Sequence, residues 1–204
     1  MAVFAGNPGD FETNPYNISW DINRKNGTMN IIEYQYKNSD GNIAGFKAGG
    51  YLHTADVIGL HDTARIFCNN YWAYLVAEKC LIPPAGKYKN GLGAFLQFDL
   101  APADRNMVSH YLGAGLSSHG FLSGKNISDK AGVAIAYLGI SKDWQKNGLD
   151  IRAHETVIEF TYSVSFFDKI TLQPDLQYII NPGAGNNGNI KNITAGTFRL
   201  IACL

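Results

Sequence analysis

The sequence predicts an all-β chain, folded as an antiparallel, up-and-down transmembrane β-barrel of which about nine to ten strands are present. Three observations carry that expectation. The stretch from His154 to Gly183 reads as two alternating strands joined by a tight turn, which must pair as a hairpin. Charged residues make up only 17% of the chain, against about 25% in a typical soluble protein, while aromatics reach 12% and glycines number 22. Connections also alternate in length, with long loops at one end of the strands and tight turns at the other.

Each element follows from a period of two, the spacing at which a strand presents one face. Met1 to Gly6 reads as the tail of a strand, and Asn7 to Asn26 as a polar loop rich in Asn, Pro and Gly. Thr28 to Lys37 puts Ile32, Tyr34 and Tyr36 on one face and Ile31, Glu33, Gln35 and Lys37 on the other. Asn38 to Asn42 is a turn of residues that tolerate positive φ. Ile43 to His53 sets Phe46, Ala48 and Leu52 against Lys47, Gly49, Tyr51 and His53. Thr54 to Asn70 is a loop. Tyr71 to Leu81 is a strand of ambiguous facing, since Leu75, Val76 and Ala77 are all apolar, and Pro83 and Pro84 end it.

Leu92 to Leu100 alternates again, with Gln97 and Asp99 on its polar face. The short turn 101–106 breaks the rule that connections at that end are long. Met107 to His119 and Ala131 to Ser141 are the next strands, the latter with Val133, Ile135 and Tyr137 as its apolar face. A polar loop leads to the His154 hairpin. There Glu155, Glu159 and Thr161 oppose Ile158, Phe160 and Tyr162, and Gln173, Asp175 and Gln177 oppose Leu172, Leu176 and Tyr178. Phe167-Asp168-Lys169 is the turn, and Pro174 reads as a bulge because proline cannot donate to a ladder. Ile193 to Leu204 closes the chain, with Phe198 and Leu200 opposite Thr197 and Arg199. No segment reads as a helix.

Composition bounds the function. The 204 residues fit one domain. Lys plus Arg equals Asp plus Glu at 17 each, which gives no expectation of nucleic-acid binding. No apolar run reaches the roughly 20 residues of a transmembrane helix. The amino terminus lacks a basic stretch followed by an apolar core and is not read as a secretory signal. Cys68, Cys80 and Cys203 lack metal-ligand spacing, and Cys68 and Cys80 are placed at opposite ends of one strand, too far apart to bridge. No metal or cofactor is expected. The matches to Asn-x-Ser/Thr at Asn17, Asn26, Asn126 and Asn192 carry little weight.

A spanning sheet leaves no backbone group unpaired in hydrocarbon, so it closes on itself, with an apolar outside and a polar lumen. Tyr34, Tyr36, Phe46, Tyr137, Phe160, Tyr162, Phe166, Tyr178 and Phe198 supply an aromatic belt. A soluble β-sandwich also hides one face of each strand, and alternation alone does not separate the two.

Several motifs resemble one family. Glu155-Thr-Val-Ile-Glu159, Leu172-Gln-Pro-Asp-Leu-Gln-Tyr178 and Asn181-Pro-Gly183 resemble the carboxy-terminal signature of the carbohydrate-selective outer-membrane porins, the OprB-like family. Lys47-Ala-Gly-Gly-Tyr-Leu-His53 is similar to its Lys-x-Gly-Gly-aromatic-x-His strand, and Ala101-Pro-Ala-Asp-Arg-Asn106 to its Ala-Pro-Ser-Asp-Arg-Asn turn. Gly132 to Ser141 is similar to its Gly-rich strand. The resemblance implies one porin β-barrel domain over 1–204 in the bacterial outer membrane, passing glucose and other sugars by facilitated diffusion. It also implies a sixteen-stranded whole, of which this chain supplies the carboxy-terminal part. An amino-terminal half carrying the signal peptide is then an expected partner, beside small sugars and outer-membrane lipid. The end Ile201-Ala-Cys-Leu204 departs from the family's terminal aromatic.

A sugar channel needs donors and acceptors for hydroxyls, strong enough for entry and weak enough for exit. Glu33, Lys47, Tyr51, Glu159, Asp175, Gln177 and Arg199 are the expected lining, Tyr51 as a surface on which a sugar stacks. The alternatives are a non-conducting fragment or small plugged barrel, and an outer-membrane hydrolase built from His53, His110, His119, Ser109, Ser117 and Asp99. No nucleophile motif surrounds either serine. Glu155 and Glu159 stand roughly 13 Å apart on a strand, beyond glycosidase spacing.

Overall fold

A computed structural model describes residues 1–7, 9–16, 18–38, 44–83, 91–120, 127–148, 151–167, 169–185 and 190–203. Among these residues twelve strands run β1 Ala2–Ala5, β2 Thr28–Asn38, β3 Ala44–His53, β4 Val57–Ile58, β5 Ile66–Phe67, β6 Asn70–Ile82, β7 Gly91–Leu100, β8 Val108–His119, β9 Ile127–Ile140, β10 His154–Phe166, β11 Ile170–Ile180 and β12 Ile193–Ala202. Ten of them form one sheet in the order β1-β2-β3-β6-β7-β8-β9-β10-β11-β12, every neighbour antiparallel. The chain is an up-and-down meander, as its alternation predicts.

The sheet is a single layer. Among the described residues the buried apolar side chains are few and mostly small: Ala5, Ala55, Ile140, Val164, Pro182 and Ala184. Ile32 is 64% exposed, Phe160 53% and Phe198 67%, all on one face. An apolar face of that extent is incompatible with water and matches hydrocarbon. The sandwich reading requires a second sheet packed on that face, and among the described residues there is none.

Four expectations are corrected. Among the described residues one short helix is present, α1 at Lys142–Gln145, while Pro182–Gly185 is a tight turn with Gly183 and Ala184 in the left-handed region. The helix is capped by Ser141, whose hydroxyl accepts from the Trp144 amide at 3.2 Å, and four residues are too few to leave a periodic pattern. Strand β9 begins at Ile127 rather than Ala131, because Ser128, Asp129 and Lys130 pair with Ser165, Val164 and Ser163 of β10. Pro174 makes no bulge: Thr161 pairs with Asp175 and Val164 with Leu172 in one unbroken register. The two rungs between them are missing, while Pro174 still pairs with Phe198 of β12, so the absent donor faces β10. The bulges lie instead between Cys80 and Ile82 and between Val108 and His110. Finally, Cys68 precedes β6, so it does not share a strand with Cys80.

The long connections gather at one end of the sheet. The one at 54–69 contains the two-stranded ribbon β4–β5, which the sequence reading took as plain loop. It is clamped by its neighbours. The Leu60 amide donates to the Asp104 carbonyl at 2.9 Å, and Asn147 Nδ2 to the Leu60 carbonyl at 2.5 Å. Arg105 donates to the Asn69 carbonyl at 2.7 Å and lies 3.8 Å from the centre of the Phe67 ring. Asn70 and Asn106 exchange amide hydrogen bonds of 2.8 Å in both directions. At the opposite end, Lys169 N donates to Phe166 O at 3.0 Å to close the β10–β11 turn. Residues 39–42, Pro84, Asn17, Asn126, Asp168 and Leu204, each part of a sequence expectation, lie outside the described residues.

Candidate functional site

The polar face is built row by row from the register. Glu33 pairs with Gly49 and Gly49 with Tyr74, so all three share a row. The Tyr74 hydroxyl donates to the Glu33 carboxylate across β3. Gly49 makes the crossing possible, because a Cβ there would stand 2.7 Å from the Tyr74 ring. That row settles the facing of β6: Trp72, Tyr74, Val76 and Glu78 belong to the polar face, and Leu75 and Ala77 to the apolar one.

Four of the seven expected lining residues come together on β10, β11 and β12. Glu159, Asp175, Gln177 and Arg199 line one cleft of about 200 Å³ with Gln173 and Thr197. Gln177 Nε2 donates to the Glu159 carboxylate at 2.9 Å, and Gln173 Nε2 to the Thr161 hydroxyl at 3.2 Å. Asp175 pairs with Thr197 and Gln173 with Arg199, so a carboxylate and a guanidinium stand in adjacent rows. The cleft offers acceptors and donors of both charges, a surface suited to polyhydroxylated solutes.

The other three stand apart. Lys47 lines a separate cleft of about 190 Å³ with Gln35, Lys37 and Glu78. Glu33 is engaged by Tyr74. Tyr51 meets Trp72 edge to face, with ring centres 5.8 Å apart at 87°. Trp72, Tyr74 and Tyr111 are polar-face aromatics that sequence reasoning missed. The signal was the row, since Trp72 pairs with Tyr51 and Tyr111 with Asp99, and a row is invisible until register is known.

The hydrolase ingredients are not assembled. Ser109 Oγ lies 3.0 Å from His110 Nδ1, but the His110 ring packs tilted against Tyr137 at 5.8 Å between centres. Asp99 pairs with Tyr111, one residue on from His110, and so faces the other way, where Gln97 holds it at 2.9 Å. His53 bonds the Gly6 carbonyl at 3.0 Å. Glu155 accepts from the Gly183 amide, which makes it a brace for the loop after β11. Among the described residues no group of three His, Cys, Asp or Glu can hold a metal.

On the opposite face, Tyr34 and Tyr36 pack on Phe46 at 5.7 and 5.9 Å, an aromatic group near the tight-turn end. His154 stacks on Tyr137 at 5.2 Å near the long-loop end. Tyr162 donates to Asp129 at 2.9 Å. Aromatics at both ends of an apolar band are the girdles of a membrane barrel. No helix among the described residues is long and apolar enough to cross a membrane.

Comparison with known proteins agrees with this geometry. The family profile for carbohydrate-selective porins, the OprB family, matches residues 1–200. No curated protein sequence matches the chain. A solved structure of OprB from Pseudomonas putida at high pH superposes with a TM-score of 0.76 at 18% identity, covering 93% of this chain and 51% of that one. The chain thus spans about half the length of that structure, and the likeness establishes the fold.

Proposed function

The chain belongs to the OprB family of carbohydrate-selective porins, and from that premise we propose that it forms part of the wall of a channel passing glucose and other sugars across the bacterial outer membrane. The observation that carries this reading is the division of the sheet. One face is apolar and exposed, and the other gathers Glu159, Asp175, Gln177 and Arg199 in one cleft. In the proposed mechanism the solute's hydroxyls exchange water for these side chains one at a time. No covalent step is needed. Each exchange is near neutral in energy, because hydrogen bonds to water are replaced by equivalent ones, and that keeps entry and exit both fast. Glu33 and Lys47 contribute charge on the far side of the same face.

Closure belongs to the proposal. Strand β1 pairs only with Thr28–Ile31, so the backbone of Ile32–Lys37 of β2 has no ladder partner on that side among the described residues, where β12 likewise has a neighbour on one side only. Unpaired backbone is costly in hydrocarbon. Further strands would complete the barrel in contact with lipid.

The test is single-channel conductance in planar bilayers with glucose as blocker. Discrete openings that glucose interrupts support the channel. A folded, heat-resistant barrel that stays silent overturns it in favour of a plugged one, and turnover of a glycoside or ester overturns it in favour of an enzyme.

A further inference from the structure

We infer that the polar face carries a second sugar-binding subsite, distinct from the Glu159–Arg199 cleft, which selects ring-closed sugars by stacking them on Trp72 and Tyr51. The inference rests on the channel reading and deepens it. The site is a cleft of about 490 Å³ at the long-loop end of the sheet, lined among others by Tyr51, Trp72, Gln97, Asp99, Asn106 and Tyr111. That volume falls within the range of small-ligand sites.

Its two walls differ in chemistry. One is aromatic: Tyr51 and Trp72 meet at 87°, and the Tyr74 ring follows at 6.3 Å from Trp72. Trp72 is 37% exposed, a large aromatic ring uncovered on the polar face. The other wall is polar. Asp99 is 4% exposed, its carboxylate fixed by Gln97 Nε2 at 2.9 Å, and Tyr111 pairs directly with it. The Tyr111 ring is laid over Gly113, where a Cβ would meet its hydroxyl at 2.8 Å. A pyranose presents C–H groups on its ring face and hydroxyl donors on its rim. Aromatic rings beside a carboxyl group, Asp99 pairing directly with Tyr74, match both at once. An open-chain polyol has the hydroxyls but no ring face.

The subsite is separate from the first. Between them the polar face reads Gln97–Gly113–Ala136 in one row and Phe95–Gly115–Ala134–Glu159 in the next. The Tyr111 ring lies over Gly113 and the Phe95 ring over Gly115, and the alanines offer no polar group, so ring faces and alanines separate the aromatic cleft from Glu159.

The experiment is solute-driven swelling of proteoliposomes holding the reconstituted channel, comparing glucose with its open-chain hexitol. The wild-type channel is expected to favour glucose. Trp72→Leu, which keeps apolar bulk and removes the aromatic face, is expected to lower the glucose-to-hexitol ratio roughly three- to tenfold, the range for a lost aromatic contact. Hexitol flux should stay within about twofold, and Trp72→Phe should restore part of the preference. Tyr51→Leu is the second variant, with a smaller loss in the same direction. A ratio unchanged in a folded Trp72→Leu or Tyr51→Leu barrel overturns the subsite. A wild-type channel that passes both solutes equally overturns the subsite alone, and one that passes neither overturns the channel reading with it.

Discussion

Removing the Arg105 side chain should release the long-loop end of the sheet without unfolding the strands. The Arg105 side chain is 12% exposed. It donates to the Asn69 carbonyl at 2.7 Å, pairs with Asp104 at 2.8 Å and lies over the Phe67 ring at 3.8 Å. A hydrogen bond from a charged donor contributes about 1.5–3 kcal/mol, and a desolvated cation–π contact about 1–2 kcal/mol. The Asp104 pair is between sequence neighbours and partly solvated, so it adds little. These terms share one side chain and do not sum, which leaves a loss of about 2–4 kcal/mol for Arg105→Ala. The assay is hydrogen exchange at Gly59 and Leu60, whose amides donate to the Arg65 and Asp104 carbonyls at 2.9 Å each. Since about 1.4 kcal/mol is a factor of ten, their protection should fall by roughly 30-fold to 1,000-fold. Arg105→Lys keeps the charge but not the planar fork and should fall between. Protection within about threefold of wild type in Arg105→Ala would refute the reasoning, and would leave the Leu60 and Asn147 hydrogen bonds as the true clamp.

Other consequences are measurable by simpler means. Glu159→Ala and Arg199→Ala should each lower glucose flux in swelling assays by roughly threefold to tenfold, the worth of one hydrogen-bonding group, and unchanged flux in both would remove the cleft from the path. Gly49→Val should destabilise the barrel by about 1–3 kcal/mol in urea titrations, because the Tyr74 ring and the Ile32 carbonyl leave its side chain no space; a variant as stable as wild type would show that β3 can shift. Phe198→Arg, near the middle of β12 on the apolar face, should cost about 2–4 kcal/mol on refolding into lipid, and a negligible cost would mean that this face does not meet hydrocarbon. At α1 the Lys146 ammonium, 2.6 Å away, holds the Asp143 carboxyl below its ordinary range. A depressed acid stabilises above its unfolded value, about 3.9, and loses that contribution as pH falls through its lower folded value. Exchange protection at the Gln145 and Lys146 amides should therefore be full at pH 5 and fall as pH drops below about 4, and Asp143→Asn should abolish the dependence.

Strand order was legible because each strand has one apolar face, and a period of two survives ordinary substitution. Strand limits were legible where polar turns interrupt it, and not at Ser128–Lys130, where three polar residues pair with β10 because β10 continues past them. The facing of β6 was hidden by Leu75, Val76 and Ala77, and only its neighbours decide it. Pro174 read as a bulge because the rule about its missing donor names a strand, and the structure shows that only the side toward β10 feels the loss.

The motifs that carry the family resemblance hold several of the sheet's braces. Glu155 of the Glu-Thr-Val-Ile-Glu stretch accepts from Gly183 of Asn-Pro-Gly, so two motifs distant in sequence are one brace. Gly49 of the Lys-x-Gly-Gly stretch clears the way for Tyr74 to reach Glu33. Arg105 and Asn106 of the Ala-Pro-Ala-Asp-Arg-Asn turn hold Asn69 and Asn70 at the mouth of the sheet. Tight geometry restricts residue choice, and it restricts it most where backbone meets side chain. A hydroxyl-binding wall makes no such demand, since a carboxylate, an amide or a guanidinium in a given row each serves. The same motifs nevertheless also hold Lys47, Tyr51, Glu159, Asp175 and Gln177 of the proposed lining, so the residues that identify the fold and those proposed to meet the solute overlap, and Trp72, Asp99 and Arg199, outside the motifs, are placed beside them by register across the sheet.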